Sequence, residues 1–456
     1  MTEKAAKPRI VILGGGIAGI RAARKLANEA VDVLIIDHNN YQVFQPLLYQ
    51  VATSMLSADE VIYPIRGFFR SASNVNFLLA EIEGIDAAAQ TVRTDQGEIG
   101  YDHLIIALGS TPNFFGSKSI EENSLPLKTL VDSIEIRSHV LKVFEEASRE
   151  KDAAKRKALL TFVFVGGGFA GVEAIAELED MVRADVAKIP SIDQEDVHFV
   201  LVEGSRRILP ELTEELSGYG LEQLRERGID VRLSTFLNSC VDGHVVLSDG
   251  TEFDADTIVW TAGVKASPVL AESDLPIEGR GRVTTLPTLQ VARDGVVVDG
   301  AWAAGDCAAV PDLTSEDPEA TCAPTAQHAV RQAGVLADNL VAVLAAGPQG
   351  RAELTPYAHE SLGTVATLGI GKGVARIMGH NLRGFAAWTA HRSYHVYAMP
   401  TINRKVRIMM DWFAAVVFRR DLASFGSAAR PGAAFAEAAR HDALLAERRR
   451  SDRQQA

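Results

Sequence analysis

The sequence predicts an α/β fold in which two parallel-sheet bodies of the same design share one chain. Two observations predict it. The stretch "VILGGGIAGI" (Val11–Ile20) returns, slightly altered, as "FVGGGFAGVE" (Phe164–Glu173). Each copy is also framed in the same way. "RIVIL" (Arg9–Leu13) and "TFVFV" (Thr161–Val165) are β-branched apolar runs of the kind that form buried parallel strands. Each is followed by a run with small and apolar residues at helical spacing.

In the first copy, Gly14, Gly16 and Gly19 fit G-x-G-x-x-G. The first glycine permits the tight turn, the second lets backbone approach a pyrophosphate, and the third lets helix pack on strand. The helix N-terminus then offers free N–H groups and a positive dipole end to the phosphates. The next strand, "VDVLIID", ends in Asp37, an acid placed to bind a ribose hydroxyl. The second copy repeats each part with Gly166, Gly168 and Gly171, and its next strand, "VHFVLV", ends in Glu203. Residues Ala184–Glu195 read as an insertion that lengthens the gap. An acid at Glu203 accepts a 2′-hydroxyl and repels a 2′-phosphate, which favours NADH over NADPH, although Arg206 and Arg207 stand nearby. Two complete Rossmann-like units in one chain imply two dinucleotides, and an NAD domain set into an FAD domain is the economical solution. Hydride passes from nicotinamide to flavin when the rings meet.

The bulk numbers agree with an enzyme of two or three domains. The chain has 456 residues, 47% hydrophobic and 23% charged, with a formal net charge of −13. Such an acidic balance argues against a nucleic-acid binder. Three cysteines (Cys240, Cys307, Cys322) form no C-x-x-C pair, which suits a reducing, cytoplasmic setting. The N-terminal stretch has no signal-peptide h-region, and no run approaches 18 apolar residues. Any membrane contact is therefore expected from one side.

Further segments decide which unit holds the flavin. "YDHLIIALGSTPN" and "FDADTIVWTAGVKASP" each run from an acid through an apolar strand to a small-Gly turn, at Gly109 and Gly263. Both read as returns between the two units. "VDGAWAAGDCAAVP" adds Gly305-Asp306 at the end of another apolar run. Together with the two loops, these segments resemble the pyridine nucleotide–disulfide reductase superfamily. "VFQPLLYQVATSML" (Val43–Leu56) and "APTAQHAVRQAG" (Ala323–Gly334) resemble, more narrowly, the type II NADH dehydrogenases, which are single-subunit NADH:quinone oxidoreductases.

That resemblance implies roles for particular residues. Asp306 is similar to an aspartate at the flavin's ribityl–phosphate region. Gln327 matches a glutamine beside quinone and flavin, able to donate to a quinone carbonyl. Glu173 matches a glutamate near the nicotinamide–flavin contact. Gln332 stands one position off the commonest spacing for a second glutamine, and His328 is a proton relay or a structural residue. The segment near Gln45–Ser54 lacks the cysteines of the disulfide reductases. Cys307 and Cys322 read as small buried residues, which also argues against a sulfide:quinone reductase. No metal site is expected, although His391 and His395 stand at i, i+4.

A quinone acceptor implies a membrane. From Ile370 to Arg420 there are nine basic residues, Arg419 and Arg420 among them, and one acid, Asp411, interleaved with aromatics and methionines. "TINRKVRIMMDWFAAVVFRRDL" reads as an amphipathic helix for an anionic membrane surface or a homodimer contact. The expected division is residues 1–115 with 288–360 for FAD and 116–287 for NADH. Residues 361–430 form an α-rich membrane-associating or dimerising region, and 431–456 a charged tail. The expected enzyme is peripheral on the inner face of the cell membrane and reduces menaquinone or ubiquinone. The alternative is a soluble NAD(P)H-dependent flavoprotein that passes electrons to ferredoxin or another protein.

Overall fold

The computed structural model describes residues 7–186, 189–347, 350–361 and 363–418. Residues 419–456, with Arg419, Arg420 and the charged tail, lie outside the described residues. The chain divides into two compact units.

The first unit comprises residues 1–44, 62–113 and 263–362. Its six-stranded sheet has the order Gln290–Arg293, Val296–Ala303, His103–Ile106, Arg9–Leu13, Asp32–Asp37, Val75–Leu79. The last five strands are parallel. Strand Arg9–Leu13 is central, and Ile10, Val11, Ile12 and Leu13 are fully buried, as the apolar run requires. Helix Ile17–Leu26 lies against helix Ala326–Ala346. The latter is the one described helix long and apolar enough to cross a membrane. Its Ala329, Ala333, Leu336, Ala337 and Leu340 belong to the core of this unit instead.

The second unit comprises residues 45–61, 114–262 and 363–456. Its parallel sheet has the order Leu125–Pro126, Thr257–Trp260, Thr161–Val165, His198–Glu203, Ile229–Leu233. Strand Thr161–Val165 is buried along its whole length. Each unit also carries an antiparallel three-stranded meander, at Ile82–Gly100 in the first and Leu237–Asp254 in the second. The charged stretch before the second sheet forms two helices, Leu130–Ala147 and Ala153–Leu159. Helix Phe169–Val186 runs into the segment read as an insertion.

The C-terminal region is not helical throughout. Strands Gly363–Thr367, Gly373–Ile377 and His380–Arg383 form an antiparallel sheet before helices Gly384–Ala398 and Ile402–Phe418. Glycines mark its tight points. Gly369 has φ of +96°, and a Cβ on Gly373 would sit 2.8 Å from the backbone nitrogen of Trp388.

Candidate dinucleotide sites and the buried polar cluster

Both glycine loops are built alike, down to the role of the acid. Gly14 takes φ +99°, and Gly166 takes φ +112°, conformations that only glycine adopts without strain. A Cβ on Gly19 would collide with the carbonyl oxygen of Gly14, and one on Gly171 with that of Gly166. These glycines let each helix press onto its strand. By contrast, a Cβ on Gly16 or Gly168 would meet nothing within 4 Å. Each loop therefore keeps an open side where the motif places a pyrophosphate. No side chain caps helix Ile17–Leu26, and its first turn carries no acid, so its N–H groups are left for an anion.

The two acids hold their loops in matching ways. Asp37 accepts from Gly15 N at 2.6 Å and from Asn39 N at 2.7 Å. Glu203 accepts from Gly167 N at 2.5 Å and from Ser205 N at 2.6 Å. Each carboxylate thus fixes the middle glycine of its loop. Arg207 is occupied by the Pro210 carbonyl and Glu214.

The remaining positions of the first unit gather near its loop. Gly109 (φ +65°) leads into Ser110–Pro112, which pairs antiparallel with Val264–Ala266 just past Gly263. The two segments read as returns thus form one short ribbon. Ser110 donates to Asp306 Oδ2 at 2.7 Å. Gly305 (φ +81°) faces Ala18 and Ala329, and its N–H donates to Gln332 Oε1 at 2.8 Å. Gln332, 1% exposed, is therefore a buried brace for the Gly305-Asp306 turn. Gln327 is half-buried in the first turn of its helix, which Thr325 caps. His328 Nδ1 lies 2.8 Å from the Tyr357 hydroxyl, and burial lowers its pKa. These residues fit a flavin dinucleotide: an open glycine side, an uncapped helix N-terminus and an acid at the strand end.

The cysteines are inert. Cys307 and Cys322 are buried and free, and burial pushes their thiols up to about 12 and about 11. Neither is a thiolate at neutral pH.

The second unit holds a feature that the sequence did not disclose. Glu173, early in helix Phe169–Val186, is buried against helix Gly384–Ala398. Its Oε1 lies 2.9 Å from His391 Nε2 and accepts from Thr367 N at 3.0 Å. His391 and His395 have rings 4.2 Å apart, and burial lowers both to a pKa of about 3. Beside them Arg392 stacks between Trp388 and Trp412, each ring 4.4 Å from the guanidinium carbon, and faces buried Glu177 at 3.7 Å. Trp412 donates to Gln50 Oε1 at 2.7 Å, and Gln50 donates to the Tyr49 hydroxyl at 2.9 Å. Burial pushes the Tyr49 hydroxyl well above its ordinary value, and the nearby Glu173 and Glu177 push it further.

Burial raises Glu173 to about 8 despite the nearby His395 and the Thr367 N–H. This carries a stability consequence. Unfolded, the group titrates near 4.5; folded, near 8. Below the lower value it is neutral in both states. Between the two, only the unfolded chain gives up its proton, so stability falls as pH rises and the loss is complete past 8. Glu173→Gln stays neutral throughout. Its melting temperature should exceed that of the unsubstituted protein at pH 9, and the two should converge at pH 5. A gap that does not change with pH contradicts the assignment.

Comparison with known proteins places this architecture. Residues 8–333 match the family model described as pyridine nucleotide-disulphide oxidoreductase. The type II NADH:quinone oxidoreductase Ndh of Mycobacterium tuberculosis is 31% identical over 89% of this chain and 87% of its own. That of Staphylococcus aureus is 30% identical over 83% of this chain and 92% of its own. Among solved structures, NDH2 of Plasmodium falciparum in complex with NADH shares the fold, with a TM-score of 0.83 at 18% identity. That match covers 91% of this chain and all of the other. The sulfide:quinone oxidoreductase of Aquifex aeolicus is more distant, with a TM-score of 0.67. The paired cradles and these likenesses agree: the chain belongs to the pyridine nucleotide-disulphide oxidoreductases and, within them, to the type II NADH:quinone oxidoreductases.

Proposed function

We propose that the first unit holds FAD, that the second binds NADH, and that Gln327 and Glu173 serve the reacting ends. As a type II NADH:quinone oxidoreductase, the chain is a flavoprotein that oxidises NADH and reduces a quinone. The observation that carries the assignment is the matched pair of cradles, one braced by Asp37 and the other by Glu203. In domain terms, we assign the first unit, residues 1–44, 62–113 and 263–362, to FAD, the parallel sheet of the second unit to NADH, and helix Ile402–Phe418 to the membrane-facing region.

FAD, when bound, supplies the two-electron relay between hydride donor and quinone. The protein's own residues do the rest. Gly16 and Gly168 admit the two pyrophosphates, and the helix N-termini behind them stabilise the negative charge. Asp306, held by Ser110, would hold the ribityl–phosphate region of FAD. Gln327 donates its amide to a quinone carbonyl and so lowers the cost of negative charge there. Glu173 carries a proton at neutral pH. With NADH bound, Glu173 would hold that proton at the nicotinamide end of the second cradle.

The quinone, menaquinone or ubiquinone, is reached from a membrane. Helix Ile402–Phe418 leaves Ile402, Val406, Met409, Met410 and Phe413 exposed, while Ile408 and Trp412 face inward. The basic residues of the C-terminal region are partly spent within the unit. Arg404 and Arg407 meet Glu60 at 3.6 Å and 3.3 Å, and Arg383 meets Glu215. The apolar stripe therefore carries most of the attachment, with anionic headgroups as a lesser term and the inner face of the cell membrane as the site.

Liposome flotation tests this. Met410→Asp combined with Phe413→Asp should weaken binding to anionic liposomes by at least about tenfold, since apolar burial is lost at two side chains. NADH oxidation with a water-soluble quinone should stay unchanged. If the double variant instead falls from dimer to monomer and still floats, the stripe is a subunit contact.

A further inference from the structure

A lone exposed phenylalanine needs no explanation, but the place of Phe236 does. Its side chain is 62% exposed, and its ring lies on Gly204, the residue after Glu203. An ideal Cβ on Gly204 would sit 2.5 Å from Phe236 Cε1 and 3.0 Å from Cδ1 and Cζ. Any side chain at Gly204 would therefore push the ring away. The segment is also stitched in place. Ser234 N donates to the Ser205 carbonyl at 2.8 Å, Thr235 N to the Glu203 carbonyl at 3.0 Å, and Phe236 N to Ser248 Oγ at 2.9 Å.

Strand order says what could lie on that ring. In the second sheet, Thr257–Trp260, Thr161–Val165, His198–Glu203 and Ile229–Leu233 are consecutive parallel neighbours. A dinucleotide lies across the carboxyl ends of such strands. The loop after Thr161–Val165 takes the pyrophosphate, and Glu203, ending the next strand, takes the ribose. The residues after Ile229–Leu233 come next along the same edge, and Phe236 is among them. Accepting the assignment of NADH to the second loop, we infer that Phe236 is the platform on which the adenine ring of NADH stacks. The ring is apolar, planar and already seated on a residue without a side chain, so little is lost in ordering it.

The test uses the full-length, flavin-loaded enzyme with a water-soluble quinone. Phe236→Ala should raise the KM for NADH about tenfold, the scale of one lost base–aromatic stack, with kcat held. Inhibition by ADP-ribose, which carries the adenine, should weaken by the same factor. The KM for reduced nicotinamide mononucleotide, which lacks it, should not move. Phe236→Trp should restore both adenine-dependent values. Equal losses for the dinucleotide and the mononucleotide would overturn the inference, and so would unchanged inhibition by ADP-ribose. Glu203→Ala then separates the two levels. If it weakens ADP-ribose inhibition while Phe236→Ala does not, the second loop keeps NADH and only the stack falls. If neither does, the assignment of NADH to that loop falls with it.

Discussion

Gly16→Val should purify without flavin, whereas Gly168→Val should remain yellow and lose NADH oxidation at ordinary substrate concentrations. The contrast rests on what each position meets. A Cβ on Gly16 or Gly168 touches no protein atom within 4 Å, so valine there fills only the open side of its cradle. Gly16 also has ordinary extended backbone (φ −75°, ψ −162°), which valine tolerates. The fold should survive both changes. What valine excludes is the pyrophosphate, with its charge-assisted hydrogen bonds to backbone N–H groups of about 1.5–3 kcal/mol each. Losing even one or two raises the KM for NADH about a hundredfold in Gly168→Val. In Gly16→Val the same loss prevents retention of the flavin. Gly19 and Gly171 would not serve, because a Cβ there collides with the carbonyl of Gly14 or Gly166 and forces helix from strand. Absorbance at purification and steady-state kinetics decide the matter. If the two phenotypes were exchanged, the order of cofactor and substrate along the chain would be reversed.

Gln327→Ala should slow reoxidation of the flavin by quinone about a hundredfold and leave its reduction by NADH nearly unchanged. A single preorganised donor to developing negative charge is worth about 10²–10³ in rate. Gln327 stands in the first helical turn past Thr325 and is half-buried. Gln332, five residues on, is committed to the Gly305 N–H. Anaerobic stopped-flow spectroscopy of the two half-reactions separates the effects. Equal slowing of both would remove Gln327 from the quinone step and make it a residue that shapes the flavin site.

The cradles were legible because each is local in sequence. Gly14 to Asp37 and Gly166 to Glu203 are strand, turn, helix and strand in immediate succession, and Gly19 and Gly171 answer a steric demand made by the carbonyls of Gly14 and Gly166 within the same loop. The fold class followed from the repetition. The cluster around Glu173 was not legible, because it joins four distant segments. Tyr49 and Gln50, Glu173 and Glu177, Thr367, and His391 to Trp412 approach only through tertiary packing. Periodicity assigns polar helical residues to solvent, and it so misreads His391, His395 and Arg392, all buried. The weakly amphipathic run "AHRSYHVY" was the one available sign.

Charge counting overstates the free charge for a related reason. The run of basic residues from Ile370 onward reads as a strongly cationic surface, yet Arg392 is sandwiched between tryptophans, and Arg383, Arg404 and Arg407 face Glu215 and Glu60. Carboxylates from elsewhere in the chain meet them. The sheet at Gly363–Arg383 was hidden as well. Its strands are short and glycine-punctuated, and they gain stability by packing on helix Gly384–Ala398 rather than from a strong alternating pattern.

The central claim is that electrons pass from NADH to quinone through a flavin held by this chain. The most direct test is anaerobic stopped-flow on the unsubstituted protein, with the two reactions run in sequence. NADH alone should bleach the flavin absorbance, and a quinone added afterwards should restore it at a rate that sustains turnover. Bleaching by NADH followed by recovery with ferredoxin, and none with any quinone, would contradict the account.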